Sequence, residues 1–351
     1  MTLTINTNIA SIIAERNLNN ATNSLNRSLE RLTTGYKINK AVDDAAGYSI
    51  SNNWDTQLSS LDIAGNNASM GADLLTTAEQ SYGLLSDHLQ RIRDLTEQAG
   101  NGTYGSASLK AIQSEIYARL QEIDRISANC EYNGIKLMSY KDAAGADNKG
   151  IGMTSNGLDL QVGLYTDTDS VINLDISLFK SAAISSLFKG GTVTYTTRDA
   201  SGDPQTITVA LSTLLTDAGG SIATLDKQAG LKALAAACSG LKYDSATDTY
   251  TLLSDNPNSK GATAMIGFVD NAIDDLSRRA TKIGAAQNRL NSAVAAIDVQ
   301  SQNLTSSLST LRDTDVASES SKYIQSQILQ QASATLLATA NQAPTIALNL
   351  I

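Results

Sequence analysis

Histidine, proline, cysteine and the large aromatics are all scarce in this 351-residue protein, and each shortage closes off a class of structure or chemistry. There is one histidine, His88. An H-E-x-x-H zinc site and any two-histidine metal cluster are excluded, and a His-dependent nucleophilic triad would have to use His88 itself. It reads instead as a surface or satisfied residue. Three prolines, Pro204, Pro257 and Pro344, leave 1–203 and 258–343 without an obligate helix breaker, so long helices are permitted toward both ends. Two cysteines, Cys130 and Cys238, are too few for a disulfide framework and read as free, buried small hydrophobes. With 3 Phe, 1 Trp and 12 Tyr, cores must be built from Leu, Ile, Val and Ala, which favours helix-on-helix packing. The net charge is −9, and no Lys/Arg run is dense enough to neutralise a line of phosphates, so nucleic acid is not an expected partner. "MTLTINTNIASII" lacks the charged start and sustained apolar core of a signal peptide, and no window approaches 18 apolar residues. Neither a cleaved signal peptide nor a membrane span is expected. No Walker loop and no G-x-G-x-x-G after a strand occurs, so no cofactor, metal site or enzymatic activity is expected. Asp43 and Asp44 in "AVDDAAG" read as helix N-caps, and Asp167 and Asp169 as turn residues.

What is abundant is heptad spacing. Val269, Ile273, Leu276, Ala280, Ile283, Gln287, Leu290, Val294, Ile297, Ser301, Leu304, Leu308 and Leu311 alternate in steps of four and three. This is a coiled-coil seam, interrupted only at Gln287 and Ser301. Such a seam is worth tens of kcal/mol gross, at about 1.5–3 kcal/mol per large apolar side chain, only when partner helices cover it. Partners are visible upstream. Trp54, Leu58, Leu61, Gly65, Ala68, Ala72 and Leu75 keep the same spacing, continued by Ala78, Tyr82, Leu85, Leu89 and Ile92. "GNGTYGS" breaks it, Leu109, Ile112, Ile116, Leu120 and Ile123 restart it, and "YNG" at 132–134 stops it.

Leu158, Leu160, Val162 and Leu164 alternate, as do Ile172, Leu174 and Ile176, which predicts a hairpin turning at Thr166 to Ser170. From about 180 to 264 the composition shifts to Thr, Ser, Gly and Asp, with strand candidates "GTVTYTT", "QTITVAL" and "DTYTLL" around a helix near "SIATLDKQAGLKALAAA". This predicts a small separate α+β domain inserted between two halves of a helical part. At the extremes, Ile5, Ile9, Ile12, Leu18, Ala21, Leu25, Leu29 and Leu32 form one apolar stripe, and Ile324, Ile328, Ala332, Leu336 and Ala340 another. Each is an amphipathic helix with no core of its own, expected to pair with the other or with further copies.

One leucine does not fit. In "LQRIRDLTEQAG", Leu85, Leu89, Ile92 and Thr96 make the inward stripe, while Leu95 shares a second face with Arg91 and Gln98.

At "TGYKINKAVDDAAGYSIS", "LQRIRDLTEQAGNGTYGSASLKAIQSEIYARLQEIDRI", "IGAAQNRLNSA" and "QILQQASATLLATANQAP", the sequence resembles bacterial flagellin, the subunit of the flagellar filament. The match covers roughly residues 1–178 and 265–351, and about 179–264 corresponds to the family's variable region. Two departures are the cysteines, which flagellins usually lack, and "YNG" in place of "FNG". The resemblance implies a mostly α fold with a small α+β insert. In it, 1–45 and 312–351 form a terminal coiled-coil layer, 46–178 and 265–311 a helical core with a β-hairpin, and 179–264 an outward-facing variable domain. It implies a self-polymerising, extracellular structural protein, exported unfolded by the flagellar type III apparatus and working with the flagellar cap and hook-associated proteins. Carried over by motif, Arg91, Leu95 and Glu115 would contact the adjacent subunit and, on free monomer, the vertebrate flagellin-sensing Toll-like receptor. The helix carrying Ile324, Ile328, Leu329, Leu336 and Leu337 would serve assembly and the cytosolic export chaperone. Alternatives are a flagellin-like hook–filament junction protein, or an enzyme borne on the filament through a carboxylate pair among Asp199, Asp203, Asp217, Asp226, Asp244 and Asp248.

Overall fold

A computed structural model describes residues 8–138, 153–154, 157–165, 167–188, 192–198, 204–218, 220–221, 225, 228–252 and 257–348. In sequence order the elements are α1 (Ile9–Thr34), α2 (Ala45–Gly100), α3 (Ser106–Asn129), β1 (Glu131–Tyr132), β2 (Ile135–Lys136), β3 (Met153–Thr154), β4 (Gly157–Gln161) and β5 (Val171–Asp175). There follow α4 (Ile184–Leu187), β6 (Thr192–Arg198), β7 (Pro204–Ala210), α5 (Leu211–Asp217), α6 (Gln228–Cys238), β8 (Leu241–Asp244), β9 (Thr249–Leu252), α7 (Pro257–Arg312) and α8 (Val316–Leu348). The fold is mostly helical with small antiparallel hairpins, as the heptads and the scarcity of proline require. Two compact units divide it, residues 1–63 with 298–351 and residues 64–297.

In the first unit the helix ends follow local chemistry. Asn8 caps α1, its side-chain oxygen accepting from Ser11 N at 3.1 Å, and Gly35 ends it at φ 77°, a left-handed conformation that costs glycine nothing. Asp44 caps α2 by accepting from the backbone N–H groups of Ala46 and Gly47. Asp43, read from the sequence as a cap too, instead closes the preceding loop by accepting from those of Asn39 and Lys40. The segments after α1 and before α8 are tied together at an antiparallel bridge between Tyr36 and Asp313, with Lys37 N donating to Arg312 O and Thr314 N to Gly35 O. Arg312 clasps this crossing. Its guanidinium lies 3.8 Å from the centre of the Tyr36 ring and 2.5 Å from Asp55 Oδ2.

In the second unit the seam positions Ala68, Leu75, Ala78, Tyr82, Leu85, Leu89 and Ile92 of α2 are buried, as are Leu109, Ile112, Ile116, Leu120 and Ile123 of α3 and Val269, Leu276, Ile283, Leu290 and Ile297 of α7. The spacing therefore places the core correctly. Arg93 reaches Asp270 at 2.6 Å and Gln287 donates to Glu79 at 2.9 Å, which sets α2 and α7 antiparallel. The predicted hairpin is present, with Leu158 opposite Leu174 and Leu160 opposite Ile172; Thr166, at its turn, lies outside the described residues. Two polar contacts pin the backbone just after it. Tyr82 Oη donates to Leu178 O, and the buried Arg279 donates to the carbonyls of Lys180 and Ser181 while pairing with Asp275. "YNG" is a tight turn as well as a helix stop: Asn133 and Gly134 have φ 48° and 78°, and β1 pairs with β2 across them.

The strand candidates around 192–252 appear as β6, β7 and β9, and the helix as α6. Leu211, expected to end a strand, instead starts α5, and β8 is an element that the sequence pattern does not announce. Residues 179–264, expected as a separate insert, contribute Leu211, Leu215, Leu231, Leu234, Cys238, Leu241 and Tyr243 to the same apolar cluster as α2, α3 and α7.

Candidate assembly surface

The α1 and α8 helices pair antiparallel. Asn8 Nδ2 donates to Ala340 O at 2.7 Å, Gln330 Nε2 to Thr22 Oγ1 at 3.1 Å, and Arg31 approaches Glu319 at 3.8 Å. The buried side of α1 is Ser11, Ala14, Leu18, Ala21, Leu25, Ser28 and Leu32; that of α8 is Glu319, Tyr323, Ser326, Gln330, Ser333, Leu337 and Ala340. Both lines keep heptad spacing, but at their most buried points they are small or polar. Ala14, Ala21 and Ser28 recur every seven residues on α1, and Glu319, Ser326 and Ser333 do so on α8. Small side chains bring the two backbones close.

Only part of the expected terminal stripes is used in this pair. Ile324, Ile328 and Leu336 are 54%, 60% and 62% exposed, and Leu329 and Ala332 are exposed too; of the named α8 residues Leu337 and Ala340 turn toward α1. On α1, Leu18, Ala21, Leu25 and Leu32 face the partner as expected, but Ile9, Ile12 and Leu29 do not, and neither does Ile13. Ile5 lies outside the described residues. The physical reason is steric: a pair joined through Ala and Ser leaves its bulky apolar residues on the flanks. The seven-residue recurrence of small residues is present in the sequence beside the more conspicuous large apolar ones.

Arg91 and Glu115 stand together on the surface of the second unit. Arg91 Nε donates to Glu115 Oε1 at 3.0 Å, and Arg119 reaches the same oxygen at 3.1 Å. The Arg91 hydrogen bond, with Arg119 beside it, holds the Glu115 carboxyl below the usual carboxylate range. His88 sits next to this group, its Nδ1 3.5 Å from Arg119.

Leu95 does not join them on the outside. It is 2% exposed and belongs to the apolar cluster, so its expected place on an open face is corrected. Residues far along the sequence join the same cluster. α6 packs on α3, and the Cys238 thiol at its end meets the Thr96 hydroxyl beside Leu95. The same region adds a contact from the Gln113 side chain to Tyr250. Cys130 and Cys238 are both free and buried; burial pushes the Cys130 thiol up and the Cys238 thiol up to about 12, which leaves both unreactive as nucleophiles.

Among the described residues no group of three or more His, Cys, Asp or Glu could hold a metal ion, and no helix is long and apolar enough to cross a membrane. Of the acidic residues considered for a carboxylate pair, Asp244 accepts from Ala246 N and Thr247 Oγ1 in a turn, Asp248 pairs with Lys232 at 2.6 Å, and Asp217 is exposed. Asp199, Asp203 and Asp226 lie outside the described residues.

Residues 5–143 match the family model of the bacterial flagellin N-terminal helical region, and residues 266–351 that of the C-terminal helical region. Flagellin D of Vibrio cholerae is 32% identical over 384 aligned residues, covering 100% of both proteins. Polar flagellin F of Vibrio parahaemolyticus is 32% identical over 379, again covering 100% of both. Among solved structures, FliC of Burkholderia pseudomallei superposes with a TM-score of 0.36 at 20% identity, covering 62% of this protein and 99% of that one. The protein belongs to the bacterial flagellin family.

Proposed function

We propose that the protein is a structural, non-catalytic subunit that polymerises into the extracellular flagellar filament. The observation that carries this is the α1–α8 pair: its seam uses Ala and Ser, while Ile9, Ile12, Ile13, Leu29, Ile324, Ile328, Leu329 and Leu336 stay exposed. An apolar flank of this kind marks a surface that another subunit covers. These eight residues are roughly half-buried already, so covering the rest is worth about 1 kcal/mol each, on the order of 10 kcal/mol together. That is comparable to the loss of freedom on association, about 4–15 kcal/mol.

In this reading 1–45 and 312–351 form the terminal layer, 46–178 and 265–311 the core with its hairpin, and 179–264 the variable region. The protein leaves the cell unfolded through the flagellar type III apparatus, and before export a cytosolic chaperone covers the same apolar flank of α8. Cap and hook-associated proteins meet the growing and basal ends. Arg91 and Glu115 supply polar contacts to the adjacent subunit and, on free monomer, to the Toll-like receptor, with Leu95 buried beneath the Arg91 helix.

Deletion of 312–351 tests the proposal. The truncated protein should neither bind the chaperone nor enter filaments, and filament growth by it would contradict the assignment. A full-length monomer that stays soluble under every seeding condition would favour a junction protein present in few copies.

A further inference from the structure

Three Asn-Gly pairs occur in the sequence, at Asn101-Gly102, Asn133-Gly134 and Asn156-Gly157, and the first two lie wholly among the described residues. Asparagine before glycine is chemically special because the next peptide nitrogen, unhindered by a Cβ, can attack the asparagine's own amide carbon, Cγ. We propose that Asn101, in the turn between α2 and α3, is a self-modifying site whose side-chain amide the fold converts to a carboxylate. The Gly102 nitrogen gives up its proton and forms a bond to Asn101 Cγ. The bond from Cγ to Nδ2 breaks and ammonia leaves with that proton, closing a succinimide. Water then adds to either ring carbonyl and breaks one bond to the ring nitrogen, leaving aspartate or isoaspartate. The net reaction consumes one water, releases one ammonia, involves no oxidation, and adds one negative charge.

The turn is arranged for the first step. Asn101 Oδ1 accepts from Thr103 N at 3.3 Å, so the side chain turns back along the chain toward the peptide that follows it. The same N–H points at the oxygen on which negative charge develops as the nitrogen adds. The backbone of the turn is held by Asn101 N to Gln98 O at 3.2 Å and Tyr104 N to Asn101 O at 3.3 Å, with no paired strands on either side of it. Gly102 is exposed, with nothing within 4 Å of where a Cβ would stand.

Asn133 makes an internal comparison. It is exposed too, so water access does not separate the two sites. Its backbone, however, is fixed at φ 48° with Gly134 at 78°, between the paired residues Tyr132 and Ile135 and the further pair Glu131 and Lys136. Closing a ring through the next nitrogen requires a change in the backbone here, which that ladder opposes. A carboxylate at 101 would also have an effect that one at 133 lacks. It would stand one residue past the end of α2 at Gly100, where negative charge opposes the helix dipole, and five residues ahead of α3, too far for that helix to gain much.

The test uses the full-length protein, held folded or in concentrated urea in mildly alkaline oxygen-18 water, followed by tryptic mapping of Asp94–Lys110 and Ile126–Lys136. Folded protein should convert Asn101 at least as fast as unfolded protein, and Asn133 several-fold more slowly than unfolded protein. Equal protection of both sites by folding would overturn the proposal. Gly102→Ala is accommodated, since the site is open and its φ is not left-handed, and it should suppress label at 101. Label persisting in that variant would mean direct hydrolysis by water and would equally overturn it.

Discussion

Truncating Leu95 should cost the fold far more than it costs any surface contact. The side chain is 2% exposed and lies in the cluster shared by α2, α3, α6 and α7. Leu→Ala at such a site removes the transfer free energy of the lost atoms and leaves a cavity, together about 2–5 kcal/mol. Arg91→Ala removes an exposed ion pair with Glu115 and should cost under about 1 kcal/mol. The measurement is urea unfolding followed by far-ultraviolet circular dichroism on both variants, with the slope of each transition checked against the parent. Leu95→Ala should move the midpoint strongly at unchanged slope, and Arg91→Ala should leave it within error. On heating, a unit of this size loses about 2–4 °C per kcal/mol, so the Leu95 variant should melt on the order of 10 °C lower. If Leu95→Ala unfolds like the parent and fails only in assembly or receptor binding, Leu95 is a surface anchor after all and its burial in this cluster is wrong.

Four further outcomes follow from the same geometry. Neither cysteine should react with a thiol reagent at pH 8 in the folded protein, and both should react in urea, because burial holds Cys238 at about 12 and raises Cys130. Burial pushes the Glu319 carboxyl up, but the Ser28 hydroxyl, Lys322 and Arg31 together leave it lowered. Its contribution to the α1–α8 pair is therefore full above the unfolded value of about 4.3 and is lost as pH falls through the lower folded value. Glu319→Gln should flatten that acid-side loss of helicity in assembled material, and an unchanged pH profile would refute the role. Gly35→Ala forces a side chain into φ 77° at the end of α1 and should cost about 1–2 kcal/mol, read as a lower melting temperature of assembled filaments. Arg279→Ala removes the donors to Lys180 O and Ser181 O and leaves those carbonyls unpaired, so amide exchange over 176–188 should accelerate well before global unfolding.

Much of the helical core was legible because a long run of steps of four and three has few other solutions. Every α2, α3 and α7 position named from spacing between 54 and 311 is buried or half-buried. The caps were legible for a similar reason, since Asp44 at an Ala-rich start has one ordinary use. Leu95 was not legible. A helical wheel knows its own helix only, and Leu95 is enclosed by a cluster that other elements complete. The α1–α8 seam failed differently, because the rule that large apolar residues mark the packed face breaks where Ala14, Ala21, Ser28, Ser326 and Ser333 let two helices approach closely. In that pair the conspicuous isoleucines and leucines mark the face left open, which is where an assembling protein differs from one that is complete alone.

The most direct test of that last statement is seeded elongation of the full-length protein beside an Ile328→Ser, Leu336→Ser double variant, read by pelleting and negative-stain microscopy. Each residue is about 60% exposed, so burying the remainder on assembly is worth roughly 1–2 kcal/mol per residue. The account predicts long filaments from the parent protein. It also predicts a critical concentration on the order of 100-fold higher for the double variant, at about 1.4 kcal/mol per tenfold, with an unchanged urea midpoint. A double variant that elongates as readily as the parent would show that the open flank of α8 is not where subunits meet.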